Sequence, residues 1–251
     1  MNTAYIVAAR RTPGGRRQGK LSGWHPADLA AVALNAVVQD TGIDPAAIED
    51  VVLGCASQGG EQSFNIARNA VLAAGFPESV PATSVDRQCG SSQQATNMAT
   101  AFVASGVVDS IMACGVESMS RLPLGAAVRG DFGRPVGKAY FAQYEYTSQF
   151  EGAERIADRW GISRQDCDEF GFESQQRAQT AWAEGRFERE VVSIEAADRN
   201  EDGSAADTKH TVSRDEGLRE TTLEKLATLK PVAREDGVHT AGSSSQITDG
   251  A

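Results

Sequence analysis

Over the first 120 residues, short apolar runs alternate with longer segments whose apolar positions recur at helical spacing. The apolar runs predict four strands, at 3–9, 50–54, 82–87 and 109–115. Alternation of this kind is typical of an α/β layer in which the strands are buried on both faces. The pattern therefore predicts an α/β fold for this part of the chain.

Three helices are predicted between these strands, and each ends at a glycine: 26–41, 63–74 and 90–105. Pro26 is suited to the first position of its helix because it has no N–H to leave unpaired. The third helix contains mostly small residues and no charge, which is typical of a closely packed, buried helix. We expect it to lie at the centre of the fold.

The composition changes at about residue 121, where a Gly, Pro and aromatic stretch precedes a charge-rich helical region at 151–185. Ser163 and Asp166 are spaced as a capping box for a helix that reaches Glu184. Beyond it the sequence predicts a strand at 190–196, a loop at 200–207 and a short helix at 221–229. We interpret 121–240 as a solvated excursion from the core.

The last residues, 238–251, are typical of a strand and turn that lead into another element. We therefore expect the chain to return to the core at 241–251 and the natural fold to continue past Ala251. In this interpretation the domains are a core at 1–120, the excursion at 121–240 and the return at 241–251.

The chain has 251 residues, of which 41% are hydrophobic and 23% charged, and no apolar run is long enough for a transmembrane helix. A net charge of −10 argues against a general nucleic-acid or membrane surface. Five basic residues precede the first acidic one, Asp28, which fits either a local anion site or a transit peptide. We favour folded structure, because 3–9 is typical of a buried strand.

Four cysteines, at 55, 89, 114 and 167, are far apart and form no C-x-x-C pair. This spacing predicts neither a metal site nor a disulfide framework, and a reducing, cytoplasmic compartment is the expectation. Cys89 stands out because it lies where a predicted strand gives way to the uncharged helix. Backbone N–H groups and the helix dipole stabilise a thiolate there, although most single cysteines are inert small hydrophobes.

Several separated motifs resemble the amino-terminal half of the thiolases, the acetyl-CoA acyltransferase family. They are Ile6–Pro13, Asn65–Pro77, the Cys89-Gly pair, Gly115–Ser120, Arg214–Arg219, Thr240–Ser245 and Asp249–Ala251. The resemblance implies a thiolase-type layered α/β/α core half with an inserted loop domain. It also implies acyl transfer between an active-site cysteine and coenzyme A, in 3-ketoacyl-CoA thiolysis or acetyl-CoA condensation.

By the same resemblance, Cys89 is the nucleophile, Arg219 lies near the adenine of coenzyme A and Ser245 contacts its pantetheine amide. Coenzyme A is a substrate, no cofactor is bound permanently, and a homodimer or homotetramer in fatty-acid β-oxidation is expected. The family's remaining catalytic motifs, Asn-Glu-Ala-Phe, Gly-His-Pro and Cys-x-Gly, do not occur in these residues. His25 precedes a proline, but Trp24 stands in place of the glycine, so we interpret it as a helix-entry residue.

Without those motifs this chain alone is expected to be inactive, because carbon–carbon bond formation needs an acid/base partner. One alternative is a non-catalytic thiolase-like module for coenzyme A binding or assembly. Another is a ketoacyl-synthase-like condensing enzyme, which shares a nucleophile on a helix but usually lacks the segments around Arg219 and Ser245. The length of the acyl group stays open.

Overall fold

The structure, a computed structural model, describes residues 2–131, 133–199 and 205–251. The strands within these ranges are Gly15–Arg16 (β1), Asp50–Gly54 (β2), Ala82–Val85 (β3), Ile111–Gly115 (β4), Glu117–Ser118 (β5), Ile194–Arg199 (β6), Ala205–Val212 (β7) and Thr248–Gly250 (β8). The α-helices are Pro26–Thr41 (α1), Ile66–Ala73 (α2), Ser91–Ser105 (α3), Lys138–Phe141 (α4), Gln149–Trp160 (α5), Arg164–Ala183 (α6) and Leu223–Ala227 (α7). None of these helices is long and apolar enough to span a membrane.

The chain divides into two compact units. Unit 1 comprises Met1–Arg129, Glu188–Gly217 and Ile247–Ala251, and unit 2 comprises Gly130–Phe187 and Leu218–Gln246. Residues 188–217 thus belong to unit 1, although they fall within the excursion predicted at 121–240. The three ranges derived from the sequence stay a prediction about family domains.

The centre of unit 1 is a parallel sheet in which β2 lies between β3 and β4. Val51 and Leu53 are fully buried in one core cluster with residues of α1 and α2. Side chains alternate between the two faces of a strand, so Gly54 faces the other way, where a Cβ atom would meet the backbone of Ser91 in α3. Helices therefore cover both faces, and the predicted α/β class is confirmed.

A second, antiparallel sheet of unit 1 joins distant parts of the sequence, because β8 lies between β1 and β5. Asp249 in β8 is fully buried, and its Oδ1 accepts hydrogen bonds from Ser118 Oγ at 3.2 Å and from the Ser120 N–H at 2.8 Å. The β6–β7 hairpin adds a smaller core, in which Ile194 packs with Leu21. These contacts hold the segment after β4 in place.

The predicted strand at 3–9 is wrong: residues 2–10 form no strand. Tyr5, Ile6 and Val7 are 80–83% exposed. A strand needs a neighbour that pairs with its N–H and C=O groups, and an apolar run by itself does not supply one. Among the described residues, the first strand-like pairing of this segment is at Arg11, which forms an isolated bridge with Val191.

Helix predictions in unit 1 agree better with the structure. Helix α1 spans the predicted residues, with His25 as its N-cap and Gly42 at its end in the left-handed conformation, φ 66°. Helix α3 ends at Gly106, as predicted. It is not surrounded on all sides, however, since only Ser91, Ala95 and Ala99 are buried and its other face is half-buried or exposed.

Unit 2 breaks the charge-rich region into two helices, α5 and α6, because Gly161 ends α5 at φ 65°. The predicted capping box is confirmed: Ser163 and Asp166 exchange side-chain to backbone hydrogen bonds at the start of α6. After α6 the predicted boundaries differ from the observed ones. Strand β6 starts four residues after the predicted 190, and helix α7 is shorter than the predicted 221–229. Of the loop predicted at 200–207, residues 200–204 lie outside the described residues and residues 205–207 belong to β7.

Candidate active site

Cys89 lies in the short turn that joins β3 to α3. Strand β3 ends at Val85 and α3 begins at Ser91, with Gly90 as its N-cap. The thiol of Cys89 is free and the residue is exposed. Gly90 offers no side-chain acceptor to the N–H groups of the first helical turn, and that turn contains no acidic residue. These N–H groups and the helix dipole favour an anion beside the helix start.

Ser91, two residues after Cys89, forms hydrogen bonds with the backbone before Cys89. Its hydroxyl donates to the Gln88 carbonyl at 2.6 Å and accepts from the Arg87 N–H at 3.1 Å. The Ser91 N–H adds a second hydrogen bond to the same carbonyl, at 3.1 Å. Ser91 is 5% exposed, so these bonds are largely protected from water. The backbone that carries Cys89 is therefore fixed before the helix begins.

Two glycines in the neighbouring strands bring the start of α3 against the sheet. A Cβ atom on Gly54 would lie 2.3 Å from the carbonyl carbon of Ser91 and from the Ser92 nitrogen. A Cβ atom on Gly115 would lie 1.8 Å from Ser92 Oγ. Neither glycine has a periodic pattern that predicts this contact, and the available signal was a glycine at the end of each apolar strand pattern.

The other three cysteines differ from Cys89 in their electrostatic surroundings. Burial and the nearby Glu117 carboxylate raise the pKa of Cys55 to about 12. Burial alone raises the pKa of Cys114 to about 12. Burial, with Asp168 and Asp166, also raises the pKa of Cys167. Each of these thiols is therefore held in its protonated, unreactive form near neutral pH.

Glu117 connects the loops that follow β2 and β4. Its carboxylate accepts the Ala56 N–H at 2.9 Å and the side-chain amide of Gln62 at 2.7 Å. Gln62 is fully buried, and its own oxygen accepts the Ser118 N–H at 2.7 Å. Glu117 lies in the motif Gly115–Ser120, which by itself predicts no role for this residue. In the structure Glu117 holds these loops together.

Arg219 and Ser245, the residues expected to contact coenzyme A, both lie in unit 2 and are exposed. The backbone of Arg219 is held by α6, since its N–H donates to Gln175 Oε1 at 3.0 Å and its carbonyl accepts from Gln179 Nε2 at 2.9 Å. Its guanidinium is left facing solvent. An exposed guanidinium on a fixed backbone suits an anionic ligand.

A side-chain cluster before Ser245 holds its loop. The ring of His239 contacts two hydroxyl groups, Ser243 Oγ at 2.8 Å from Nδ1 and Ser244 Oγ at 3.0 Å from Nε2. Glu154, 2% exposed, accepts the N–H of His239 at 3.0 Å. Within the residues that the structure describes, the Ser245 hydroxyl makes no hydrogen bond. It is therefore available to a ligand.

The remaining two histidines have local partners. His25 Nδ1 accepts the Ala27 N–H at 3.3 Å, which confirms it as a helix-entry residue. His210 on β7 pairs with Asp198 across the hairpin at 2.5 Å. Among the described residues no group of three or more His, Cys, Asp or Glu side chains is arranged to hold a metal ion.

Comparison with known proteins gives consistent matches over the whole chain. A family model described as the thiolase N-terminal domain matches residues 4–251. A steroid 3-ketoacyl-CoA thiolase of Mycobacterium tuberculosis is 42% identical over 100% of this chain and 61% of its own length. A β-ketoadipyl-CoA thiolase of Acinetobacter baylyi is 40% identical, over 100% and 65%, and a 3-ketoacyl-CoA thiolase of Bacillus subtilis is 38% identical, over 100% and 64%.

Among solved structures, the crystal structure of the Bacillus anthracis acetyl-CoA acetyltransferase superposes with a TM-score of 0.84 at 32% identity. The match covers 100% of this chain and 64% of that one. The chain thus spans less than two thirds of the length of each of these relatives.

Proposed function

The chain belongs to the thiolase family and has the thiolase-type α/β fold, and from this premise we propose that it carries the nucleophile of an acyltransferase. The enzyme moves an acyl group between Cys89 and coenzyme A, in 3-ketoacyl-CoA thiolysis or in condensation of acetyl-CoA. The observation that carries this proposal is the exposed thiol of Cys89 directly before α3, beside three cysteines whose pKa values are raised.

In the cleavage direction, the Cys89 thiolate attacks the 3-keto carbon of the substrate. The bond between C2 and C3 then breaks, and C1 and C2 leave with their coenzyme A as the enolate of acetyl-CoA, which takes up a proton. The acyl group, now a thioester of Cys89, passes to the thiolate of a second coenzyme A, and Cys89 leaves as thiolate. In this proposal the Cys89 N–H, just before α3, donates to the oxyanion of the acyl-transfer steps.

Arg219 and Ser245 supply the contacts to coenzyme A in this proposal. The guanidinium of Arg219 meets the adenosine end, with its phosphates, and the Ser245 hydroxyl meets the pantetheine amide. Local cations of this kind are required because the chain as a whole carries a net charge of −10. Coenzyme A is a substrate here, and no cofactor or metal is proposed as a resident group.

Acyl transfer to the enzyme tests the nucleophile directly. The chain is incubated with acetyl-CoA, and the acetylated peptide is identified by mass spectrometry after digestion at low pH. We expect the acetyl group on Cys89, and we expect Cys89→Ser to remain unmodified under the same conditions. An acetyl group on Cys55, Cys114 or Cys167 in folded protein would assign the nucleophile elsewhere.

We propose that residues 1–251 by themselves do not complete thiolysis, because Asn-Glu-Ala-Phe, Gly-His-Pro and Cys-x-Gly motifs are missing from them. The proposal extends to a homodimer or homotetramer in the cytoplasm that acts in fatty-acid degradation. Acetoacetyl-CoA thiolysis is measured with this chain, and then after a thiolase segment that contains the three motifs is added in cis or in trans. Turnover should appear only after the addition, and the oligomer is checked by sedimentation.

The absence of these motifs also favours a second candidate, a non-catalytic thiolase-like module for coenzyme A binding or assembly. The acetylation experiment distinguishes the two, since a binding module retains coenzyme A affinity and leaves Cys89 unmodified. Acetylation of Cys89 supports the acyltransferase.

Coenzyme A binding is tested at Arg219. We expect Arg219→Ala to weaken coenzyme A more than dephospho-coenzyme A if the guanidinium meets the 3′-phosphate, and both equally if it stacks on adenine. A hydrogen bond to a charged group is worth about 1.5–3 kcal/mol, so calorimetry resolves the difference. Arg177→Ala, which removes an exposed arginine of α6, is the control, and unchanged affinity for both ligands in Arg219→Ala would exclude Arg219.

A further inference from the structure

The residue before Cys89 has an unusual backbone conformation. Gln88 has φ 47°, in the left-handed region, and only four residues other than glycine have a positive φ among those the structure describes. Such a conformation is unfavourable for an L-residue with a side chain, so it persists where neighbouring groups impose it. The groups that impose this conformation on Gln88 therefore also fix the backbone next to the proposed nucleophile.

The side chain of Asp86 is the group that holds Gln88 from the amino-terminal side. Asp86 Oδ1 accepts the backbone N–H of Gln88 at 2.6 Å, which forms a turn of the Asx type. The side-chain amide of Gln88 donates to both carboxylate oxygens, at 3.1 Å and 3.0 Å. Since Asp86 and Gln88 are both exposed, these hydrogen bonds and not packing fix the pair.

Ser91 holds Gln88 from the other side, through the two hydrogen bonds to its carbonyl described above. Both peptide groups of Gln88 therefore have fixed partners. Rotation of either peptide group would move Cys89 away from the start of α3. Within the described part of the chain, the side chain that accepts the N–H of Gln88 is that of Asp86.

We propose that Asp86 is a positioning residue for Cys89, which holds Gln88 in its left-handed conformation and so keeps the thiol at the start of α3. This inference rests on the proposed role of Cys89 as the nucleophile. A carboxylate this close in sequence to a thiol disfavours the thiolate by charge repulsion. Asp86 therefore aids the reaction through geometry, against the effect of its own charge.

The two effects have opposite signs, and this makes the proposal testable. If only charge mattered, Asp86→Ala and Asp86→Asn would both speed alkylation of Cys89 at neutral pH. If Asp86 positions Gln88, Asp86→Ala slows alkylation, because the thiol leaves the helix start. Asp86→Asn keeps an oxygen that accepts the Gln88 N–H and avoids this loss. Arg87, the other charged residue of the turn, is unchanged in every variant.

The experiment measures the rate of Cys89 alkylation by iodoacetamide between pH 6 and pH 10, with peptide mass spectrometry as the readout. We expect Asp86→Ala to slow alkylation at neutral pH roughly three- to tenfold, the range that corresponds to one hydrogen bond. Asp86→Asn should restore the rate of the unchanged chain or exceed it. Labelling of Cys114, whose pKa is raised by burial alone, reports any loss of folding in the same samples.

Substitution of Gln88 provides a second test of the same proposal. Glycine adopts positive φ at little cost, so Gln88→Gly should keep the turn without its side-chain bonds. Asp86→Ala should then slow alkylation less in the Gln88→Gly background than in the original chain. Equal slowing in both backgrounds, or no slowing by Asp86→Ala in either, would overturn the proposal.

Alkylation requires no coenzyme A and no turnover, so the outcome is independent of the proposed acyltransferase activity. Coupling between Asp86 and Gln88 without acetylation of Cys89 would leave the positioning intact and defeat the acyltransferase proposal. Acetylation of Cys89 without coupling between Asp86 and Gln88 would support the acyltransferase proposal and overturn the positioning role of Asp86.

Discussion

Cys55 and Cys89 follow adjacent parallel strands of one sheet, β2 and β3, and differ in nearly every property that controls a thiol. Cys55 comes directly after its strand, and its N–H donates to the Val85 carbonyl at the end of β3 at 3.0 Å. It is 1% exposed, and its sulfur lies 4.0 Å from a carboxylate oxygen of Glu117. Cys89 comes four residues after Val85, past the end of β3, and is in contact with solvent.

The end of a parallel strand is therefore not sufficient to make a cysteine reactive. Both residues lie at the same edge of the sheet, where ligands of open α/β sheets commonly bind. The difference arises from the three residues of turn between β3 and Cys89, which carry the thiol to a helix start. At Cys55 the chain stays within the core, beside a carboxylate that opposes ionisation.

The largest expected difference is in the rate of alkylation. A thiol with a pKa of about 12 is ionised in only about one molecule in ten thousand at pH 8, and the thiolate is the reactive form. We expect limiting iodoacetamide to label Cys89 at least about a thousandfold faster than Cys55 in folded protein. Peptide mass spectrometry measures both rates in one sample, and the Cys89→Ser variant serves as a control. Comparable rates would remove the distinction between the two sites.

The amino-acid sequence predicted the position of Cys89 between a strand and a helix, but it did not predict how α3 is seated on the sheet. The position of Cys89 followed from an apolar strand, a Cys-Gly pair and an uncharged helix that ends at Gly106. These are local signals, and α3 has the predicted end. The seating of α3 on the sheet depends on Gly54 and Gly115, which are distant in sequence from Cys89 and have no periodic pattern of their own.

The failure at 3–9 has the same origin. Apolar residues such as Tyr5 and Ile6 favour a strand locally, but pairing depends on a neighbour elsewhere in the sequence. Helices satisfy their own backbone hydrogen bonds, so Pro26 and Gly42 were sufficient to place the ends of α1. The burial that raises the pKa of Cys55 likewise arises from residues of several elements and was not visible in the sequence.

A second way to test the comparison is to push α3 away from the sheet. Gly54→Ala places a methyl group 2.3 Å from the backbone of α3, a contact that no side-chain rotation relieves. We expect it to lower the free energy of unfolding by about 3 kcal/mol, at the upper end of the range for overpacking. Urea denaturation measures this change.

Gly152→Ala is the matched control, because no atom lies within 4 Å of a Cβ atom built there. It should be neutral or slightly stabilising, since alanine is favoured over glycine within a helix. If Gly54→Ala is as stable as Gly152→Ala, the close approach of α3 to β2 does not exist in solution, and the placement of Cys89 by the sheet would have to be abandoned.

The smallest expected effect is on stability at alkaline pH. The pKa of Cys55 rises from an ordinary 9.0 to about 12 on folding, so the unfolded chain releases the thiol proton first as the pH increases. The folded state binds more protons between these two values, and its stability therefore falls as pH rises through this window. Between pH 9 and pH 10 the contribution of Cys55 is a loss of about 1 kcal/mol.

Urea denaturation of the unchanged chain and of Cys55→Ala at the two pH values isolates this contribution, because other titrating groups are common to both. Cys55→Ala should lose about 1 kcal/mol less than the unchanged chain. If Cys55→Ala showed the full alkaline loss, the Cys55 thiol would have to ionise alike in the folded and unfolded states, which its burial beside Glu117 opposes.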